Sequence, residues 1–232
     1  MPKYFNSFIS ILKLHSNPES AWHNFTAILK HPLLYIRVCT HVEGLIDHYT
    51  GSLLYETVLA NRSDSHNIIE VGAYKGESTI YLSLAAFKVN KRLISFELFS
   101  GLPCSDPVLD SGFRKGQFSS DINQYIANIA TYGNSSAVDL MIGDARQTLL
   151  PKIVDNGFSV AFLDVDVYEV MKELLFQLWN IAKGNEIVII HDINSPGVRK
   201  AVDELLVIAK NRVIETHFHR NTIAKLVILP QF

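Results

Sequence analysis

Short apolar runs alternate with helical patterns through most of this chain of 232 residues, and the alternation limits the folds that it can adopt. The runs occupy residues 67–72, 92–98, 137–143, 158–164 and 186–192. Between and after them, apolar residues recur at helical spacing. Runs that are continuously apolar are typical of parallel strands covered on both faces. Strands that alternate with helices form βαβ units, so the sequence predicts a doubly wound α/β fold.

Both ends of the chain depart from this rhythm. Residues 1–62 contain helical patterns, such as the spacing of Trp22, Phe25 and Leu29, and predict an N-terminal helical cap. A polar break ends this part, so we expect residues 63–232 to form the sheet domain. The last apolar segments predict two strands that are joined by a tight turn and therefore pair antiparallel. We expect a mostly parallel sheet of seven strands with one antiparallel strand.

Charge and composition exclude several classes of function. The net charge is −2 and no stripe of lysine and arginine occurs, so we expect no nucleic-acid partner. Cys39 and Cys104 are too few for a disulfide framework, which fits a reducing, cytoplasmic setting. Polar residues interrupt the apolar N-terminus, so we expect no signal peptide. No apolar run reaches the roughly 18 residues that span a bilayer, so we expect no membrane partner.

The first strand ends in EVGAYKG, a turn that favours close approach of a ligand. Gly72 and Gly76 allow the backbone to bend tightly there, although both could be ordinary loop glycines. Glu97 ends the second strand about 20 residues further on, where an acidic residue can accept hydrogen bonds from ribose hydroxyls. The alternative for Glu97 is a solvated carboxylate. Tyr74 and Glu77 replace the other two glycines of a dinucleotide motif, which argues against NAD.

Two further segments point to the same edge of the predicted sheet. Asp144 and Ala145 follow the third strand, where an adenine ring would lie beside a ribose held by Glu97. Asp144 could equally cap the helix that begins at Ala145. Residues 99–120 are rich in glycine, proline and serine, and a connection of about 20 residues is typical of a lid or binding loop.

Four polar side chains follow the fourth and fifth strands. Asp164 and Asp166 come after one strand, and His191 and Asp192 after the next. Neighbouring parallel strands bring these groups to one edge, where several carboxylates repel each other unless a cation lies between them. A divalent cation with oxygen ligands could bind a substrate hydroxyl and lower its pKa, while a free carboxylate removes the proton.

Each of the four side chains also has a purely structural explanation. Asp164 or Asp166 could cap the helix that starts near Tyr168. His191 could be a buried histidine with satisfied hydrogen bonds, and Asp192 could form the turn before the next helix. These alternatives remain open at the level of the sequence.

The motifs IIEVGAYKGESTIYLS, SFELFSGLP, GDARQTLLP, FLDVDVYEV and IVIIHDINSPGVRKAVDEL together resemble class I S-adenosylmethionine-dependent methyltransferases, which have a Rossmann-like fold. Within that superfamily the chain looks like the macrocin-type sugar O-methyltransferases over about residues 45–210. The resemblance implies that residues of the first turn surround the methionine part of the cofactor, that Glu97 holds the ribose, and that the loop Gly101–Pro103 encloses the site. It assigns the methionine part to Glu70, Gly72 and Gly76, and the adenine to Asp144 and Ala145.

The resemblance also assigns roles to the acidic strand ends. In the macrocin-type pattern LDxDxYE the first Asp is a metal ligand and the second is the base, which correspond to Asp164 and Asp166. The family's other two ligands form an Asp-Asp pair, whereas this chain has His191 and Asp192, as broader relatives with a DGDHxYE pattern do. Imidazole favours Mn²⁺, Fe²⁺ or Zn²⁺ over Mg²⁺. We expect a divalent metal, Mg²⁺ or Mn²⁺, on Asp164, His191 and Asp192, with His191 as an alternative base.

The functional hypothesis is methyl transfer from S-adenosylmethionine to a hydroxyl of a sugar or another small polar molecule. One alternative is a phenolic O-methyltransferase, but such relatives usually carry an Asn where Ile193 stands. Another is a cofactor-binding module of this fold without turnover. The N-terminal helices have more apolar surface than one sheet edge requires, and many relatives self-associate, so we expect a homodimer.

Overall fold

Seven strands form a single sheet in the computed structural model, which describes residues 18–62, 66–219 and 222–231. The strands are β1 (Asn67–Val71), β2 (Leu93–Glu97), β3 (Val138–Ile142), β4 (Phe158–Leu163), β5 (Ile187–His191), β6 (Val213–Phe218) and β7 (Ile223–Ile228). Their order is β3-β2-β1-β4-β5-β7-β6. Strands β1 to β5 pair parallel, and β7 pairs antiparallel with both β5 and β6. The predicted doubly wound sheet with one antiparallel strand is confirmed.

The sheet reverses its winding between β1 and β4, which are neighbours in space but not in sequence. Val71 pairs with Leu163, and Leu163 pairs with Ile190, so the carboxyl ends of β1, β4 and β5 lie level. Ligands of open α/β sheets bind beyond the strand ends at such a reversal. The topology therefore places a binding site where the sequence has its glycine turn and its acidic residues.

Helices cover both faces of this sheet. Those that follow the strands are α4 (Glu77–Lys88), α5 (Ile122–Tyr132), α6 (Ala145–Ile153), α7 (Tyr168–Ile181) and α8 (Pro196–Ala209). One apolar core lies under α6, α7 and α8, and the other under α4 and α5. Strands β1, β2 and β4 are buried along nearly their whole length, which explains why their sequences are continuously apolar.

The N-terminal part contributes three described helices: α1 (Pro18–Lys30), α2 (Pro32–Val38) and α3 (His48–Ala60). Helix α3 packs on α4, and its Leu54 and Val58 belong to the same apolar core as Ile68 of β1. Asp47 begins α3 by accepting a hydrogen bond from the Thr50 N–H at 2.8 Å. The division of the chain at residue 62 stays a prediction. Within the described ranges, no helix is long and apolar enough to cross a membrane.

Candidate active site

A cavity of about 230 Å³ opens beyond the carboxyl ends of β1, β2, β4 and β5. Its walls come from the turn after β1, the ends of β2 and β3, the acidic residues after β4 and β5, the loop over residues 101–118, and the segment 44–46 before α3. Most of these segments are connections, because strands end and helices begin at this edge. The cavity therefore collects most of the residues that the sequence singles out.

Gly72 permits the turn after β1 to cross the chain that follows β4. Its φ is 87°, and a Cβ atom added there would lie 1.9 Å from the Asp164 carbonyl oxygen. The Asp164 N–H donates to the Val71 carbonyl oxygen at 3.0 Å, so β1 and β4 stay paired up to this crossing. Only glycine fits this position without displacing the backbone that carries Asp164.

Glu97 lies in the cavity wall and organises the two connections beside it. Its Oε2 atom accepts hydrogen bonds from the N–H groups of Ala73 and Tyr74 at 2.7 Å each. Its Oε1 atom accepts one from the Phe99 N–H at 2.8 Å. A carboxylate held in this way is a rigid acceptor facing the cavity. Its predicted role toward a ribose stays a prediction.

Glu70 and Gly76 lie behind the first turn and outside the cavity wall. Glu70 is 0% exposed, and its carboxylate accepts hydrogen bonds from the hydroxyls of Ser78, Thr79 and Ser95. Burial raises the pKa of Glu70 to about 7. A Cβ atom at Gly76 would point 2.9 Å from Ile129 of α5. Both residues position the start of α4. Their predicted place around the methionine part of a cofactor stays a prediction.

Glu77 is a cavity residue that the sequence analysis did not select. It lies in the wall beside Gly44, is 6% exposed, and has an Oε2 atom without a hydrogen-bond partner among the described residues. Burial, followed by the charge of Asp47, raises the pKa of Glu77 to about 8. Its one sequence signal was an acidic residue at a position that dinucleotide motifs reserve for glycine.

Asp144 caps a helix and also lines the cavity. Its Oδ1 atom accepts a hydrogen bond from the Arg146 N–H at 3.0 Å and so caps α6. The Arg146 guanidinium lies 2.6 Å from Asp144 Oδ2 and, by hydrogen bonding, holds the pKa of that carboxyl below its usual range. Asp144 and Ala145 both also line the cavity. Their predicted contact with adenine stays a prediction.

The residues after β4 and β5 form a tight polar cluster. Asp164, His191 and Asp192 each offer one ligand atom, and these atoms all lie within 4.8 Å of one another. His191 Nδ1 lies 3.2 Å from Asp164 Oδ1 and 3.1 Å from Asp192 Oδ2. Burial alone would lower the pKa of His191, but the two carboxylates outweigh it and raise that pKa well above 6.5.

Asp166 completes the cluster from a left-handed backbone conformation. The φ of Asp166 is 59°, and that of Asp192 is 51°. Such angles are uncommon for non-glycine residues, although Asp tolerates them better than most, and they occur often at functional sites. Burial, then the charges of Asp164 and Asp192, raises the pKa of Asp166 to about 8. The residue is therefore a carboxyl group that can carry a proton near neutral pH.

Helix α7 begins without help from the acidic cluster. Its N-cap residue is Val167, which provides no side-chain hydrogen bond. The capping alternative for Asp164 and Asp166 is therefore wrong. The carboxylate that accepts from the Tyr168 N–H belongs instead to Asp110 in the long loop, at 3.0 Å. Asp110 is the second functional candidate that the sequence analysis missed, because its partners are distant in sequence.

The donor set of the cluster fits a divalent cation. Two carboxylate oxygens and one imidazole nitrogen converge in a half-buried position. The carboxylates repel each other there unless a metal ion or the protonated His191 ring lies between them. Mixed oxygen and nitrogen ligands favour Mn²⁺, Fe²⁺ or Zn²⁺ over Mg²⁺. The three residues that would hold the ion are the three expected from the sequence.

The long loop lies over the cavity, and backbone hydrogen bonds join its beginning to its end. The Leu102 N–H donates to the Gln117 carbonyl at 2.9 Å, and the Gly116 N–H donates to the Leu102 carbonyl at 2.8 Å. Leu102, Phe113 and Phe118 reach the cavity wall. The loop thus supplies an apolar cover opposite the acidic cluster.

A protein-family model described as "Methyltransferase domain" matches residues 69–193, which is more than half of the chain and includes the whole polar cluster. The chain belongs to this methyltransferase family. The methyltransferase superfamily expected from the motifs is thereby confirmed, and the residues that match run from β1 to the end of the acidic segment after β5. The likeness to the macrocin-type enzymes stays a prediction. No curated protein matches the sequence of this methyltransferase.

Solved structures share the fold of this methyltransferase at low sequence identity. The calicheamicin methyltransferase CalS11 is 18% identical with a TM-score of 0.63, covering 92% of this chain and 94% of that chain. The O-methyltransferase NovP is 15% identical with a TM-score of 0.66, covering 82% and 84%. An O-methyltransferase from Bacillus cereus in complex with S-adenosylhomocysteine is 15% identical with a TM-score of 0.56, covering 97% of each chain. At these identities the likeness describes the fold.

Proposed function

We propose that this methyltransferase transfers a methyl group from S-adenosylmethionine to a hydroxyl of a sugar or another small polar acceptor, with the help of a divalent cation. The observation that carries the proposal is the convergence of Asp164, Asp166, His191 and Asp192 on one cavity with Glu97. The structural neighbour CalS11 is described as a TDP-rhamnose 3′-O-methyltransferase, which supports a sugar hydroxyl as acceptor.

The cavity walls suggest how the cofactor lies. Ala145 and Asp144 would contact the adenine, Glu97 the ribose, and Gly72 the methionine part. The carboxylate of Glu77, whose Oε2 atom has no hydrogen-bond partner in the described part of the chain, would accept the ammonium group at the far end. The sulfonium methyl would then face the acidic cluster. Neighbours that were solved with S-adenosylhomocysteine or S-adenosylmethionine support this choice of cofactor.

Asp166 is the proposed general base. Burial and the charges of two neighbouring carboxylates raise the pKa of Asp166 to about 8 when no cation is bound. A cation beside it would lower that pKa and keep Asp166 ionised, so that it can accept a proton near neutral pH. The acceptor's hydroxyl proton would move to the Asp166 carboxylate while the oxygen forms a bond to the methyl carbon and the carbon–sulfur bond breaks. Held by Asp164, His191 and Asp192, a cation would supply a positive charge that lowers the pKa of a bound hydroxyl. His191 would orient both neighbouring carboxylates.

The phenolic alternative loses support at Ile193. This residue is buried in the core under α7 and α8, and its N–H donates to the Thr222 carbonyl at 3.1 Å. It therefore offers no ligand where phenolic relatives usually have Asn. The alternative without turnover has no specific observation in its favour, because the acidic cluster is complete.

Ligand-induced stabilisation tests the cofactor. We expect S-adenosylhomocysteine at about a hundredfold excess over its Kd to add about 2.7 kcal/mol to the free energy of unfolding. Differential scanning fluorimetry would show this as a higher Tm, with NAD as the control nucleotide. The absence of a shift with both S-adenosylmethionine and S-adenosylhomocysteine would contradict the proposal.

Methyl transfer tests the acceptor and the cation. We expect turnover of labelled S-adenosylmethionine with nucleotide sugars or glycosides, and loss of turnover in a chelator that is reversed by Mn²⁺ or Mg²⁺. Asp166→Asn should abolish turnover while S-adenosylhomocysteine still binds. Asp155→Asn changes an exposed carboxyl at the opposite edge of the sheet and serves as its control. Transfer to catechols alone would favour the phenolic alternative.

A further inference from the structure

Asp110 is a charged residue in the middle of the long loop, yet it is only 2% exposed. Its Oδ1 atom accepts a hydrogen bond from the Tyr168 N–H at 3.0 Å, and its Oδ2 atom accepts one from the Asp106 N–H at 2.8 Å. A Cβ atom added to Gly197 would lie 2.1 Å from Asp110 Oδ1. The carboxylate therefore lies between the first turns of α7 and α8.

These two helices are the ones that follow the acidic strand ends. Helix α7 starts directly after Asp164 and Asp166, and α8 starts shortly after His191 and Asp192. The first turn of a helix has free N–H groups and a partial positive charge, which an anion stabilises. Neither helix receives a side-chain hydrogen bond from its own N-cap residue. The loop supplies the missing anion from a distance of about 60 residues in sequence.

The segment around Asp110 also positions an apolar side chain over the cavity. The Asp110 N–H donates to the Asp106 carbonyl at 2.9 Å, and the Phe113 N–H donates to the Asp110 carbonyl at 2.9 Å. This turn carries Phe113 into the cavity wall, where Leu102 also lies. Loss of the hydrogen bonds of the Asp110 carboxylate would therefore loosen both the loop over the cavity and the first turn of α7.

We propose that Asp110 is a positioning residue that fastens the loop 99–120 over the cavity and holds the start of α7 behind Asp166. The fastening does not depend on what the cavity binds; its effect on cofactor affinity rests on the proposed function. The test therefore includes one measurement without any ligand and one with S-adenosylhomocysteine.

Four variants distinguish the positioning role of Asp110 from a general loss of stability. Asp110→Ala removes the carboxylate, and Asp110→Asn keeps an oxygen acceptor for the Tyr168 N–H. Gly197→Ala is expected to displace the carboxylate while the sequence of the loop stays unchanged. The matched control is Asp121→Ala. Asp121 directly follows this loop, is exposed, and caps α5 by accepting from the Asn123 N–H at 2.8 Å.

Limited proteolysis with trypsin reports the fastening directly, because Arg114 and Lys115 are exposed in the loop. We expect cleavage there to be at least about tenfold faster in Asp110→Ala and Gly197→Ala, since a buried hydrogen-bonded charge is lost or displaced. The cleavage rate of Asp110→Asn should lie between the rates of these variants and that of the wild type. Asp121→Ala should be cleaved at the wild-type rate. Wild-type cleavage rates in Asp110→Ala would overturn the proposal.

A double variant tests the geometry. If Gly197→Ala acts by pushing the Asp110 carboxylate aside, it should add little to cleavage once Asp110 is already alanine. Additive effects of the two substitutions would show that Gly197→Ala acts elsewhere and would overturn the shared contact.

Cofactor affinity tests the consequence for the site. We expect Asp110→Ala to weaken S-adenosylhomocysteine binding about tenfold or more in calorimetry, with partial recovery in Asp110→Asn. Fast cleavage with unchanged affinity would overturn the positioning role. If the wild type itself binds no S-adenosylhomocysteine, the proposed function fails, and the trypsin and double-variant measurements still decide whether Asp110 fastens the loop.

Discussion

Two glutamates at and behind the cavity wall have very different surroundings. Glu70 and Glu77 stand seven residues apart around the same turn. Glu70 is enclosed by three hydroxyl donors, whereas Glu77 reaches the cavity wall with one oxygen unsatisfied. The sequence favoured the first as a ligand of the cofactor, whereas the second is the one that lines the cavity.

A substitution at Asp164 tests whether the polar cluster binds a metal ion. Asp164→Asn removes a charged oxygen from the three ligand atoms that lie within 4.8 Å of one another. We expect the affinity for Mn²⁺ to fall at least about tenfold, because even residues that only orient metal ligands contribute that much. Isothermal titration calorimetry on the purified chain would measure it. Asp155→Asn, which is exposed at the opposite edge, should bind Mn²⁺ as the wild type does.

Glu77 carries a prediction about stability and pH. Its pKa is raised in the folded chain from an ordinary 4.5 to about 8, mainly by burial. The folded state therefore binds more protons than the unfolded state between these values, so stability should fall as pH rises from about 4.5 to about 8. Glu77→Gln should remove this part of the slope and be more stable than the wild type above pH 8.

Urea unfolding across this pH range would measure the effect, with Glu173→Gln as a control at an exposed helix position. Parallel profiles of Glu77→Gln and the wild type would contradict the assignment of the buried proton to Glu77. If Glu173→Gln keeps the wild-type dependence of stability on pH, loss of a carboxyl group on the surface is not sufficient to change that dependence.

At the scale of elements, the turn after β1 and the loop 99–120 both depend on glycines with left-handed φ. Gly72 and Gly116 have φ of 87° and 81°, but their surroundings differ. A Cβ atom at Gly72 would lie 1.9 Å from a backbone oxygen, while one at Gly116 would have nothing within 4 Å. Alanine substitutions at Gly72 and Gly116 therefore distinguish the cost of a left-handed backbone conformation from the cost of a steric clash.

We expect Gly116→Ala to lower the free energy of unfolding by about 1–2 kcal/mol, the usual cost of a left-handed residue with a Cβ atom. Gly72→Ala should cost roughly 2 kcal/mol more, because the backbone that carries Asp164 must also shift. Urea denaturation measures both. Equal losses would mean that β1 and β4 can separate at this crossing without cost.

The type and order of the elements could be predicted because they follow from local patterns. The runs that end at residues 72, 143 and 164 correspond to strands β1, β3 and β4, which end one residue earlier. The path of the loop 99–120 could not be predicted beyond its being a cover. Its fastening depends on Asp110 meeting Tyr168 and Gly197, and only the packing of α7 against α8 brings those residues together.

At the scale of the whole molecule, a stripe of large apolar side chains faces outward from α1 and α2. Its members are between 41% and 79% exposed, and they are Trp22, Phe25, Leu29, Leu33 and Ile36. Large apolar side chains exposed in this number on two consecutive helices favour an interaction surface. The stripe supports the expected homodimer, which stays a prediction.

Leu33→Asp places a charge at the most exposed member of the stripe. We expect it to convert a dimer of the wild type into a monomer in size-exclusion chromatography with light scattering, without loss of secondary structure. Val207→Asp alters an equally exposed position on α8 and should leave the dimer intact. A monomeric wild type at micromolar concentration would contradict the expectation.

The sequence by itself determined the doubly wound architecture, the methyltransferase family and the meeting of four polar strand ends at one edge, because periodicity, strand order and motifs are properties of the chain. Only the tertiary structure decided which carboxylates reach the cavity. Glu70 is enclosed, Glu77 lines the wall, and Asp110 lies between two helices. The physical reason is that exposure and hydrogen-bond partners depend on segments far apart in sequence, which meet only when the sheet, the helices and the long loop are packed together.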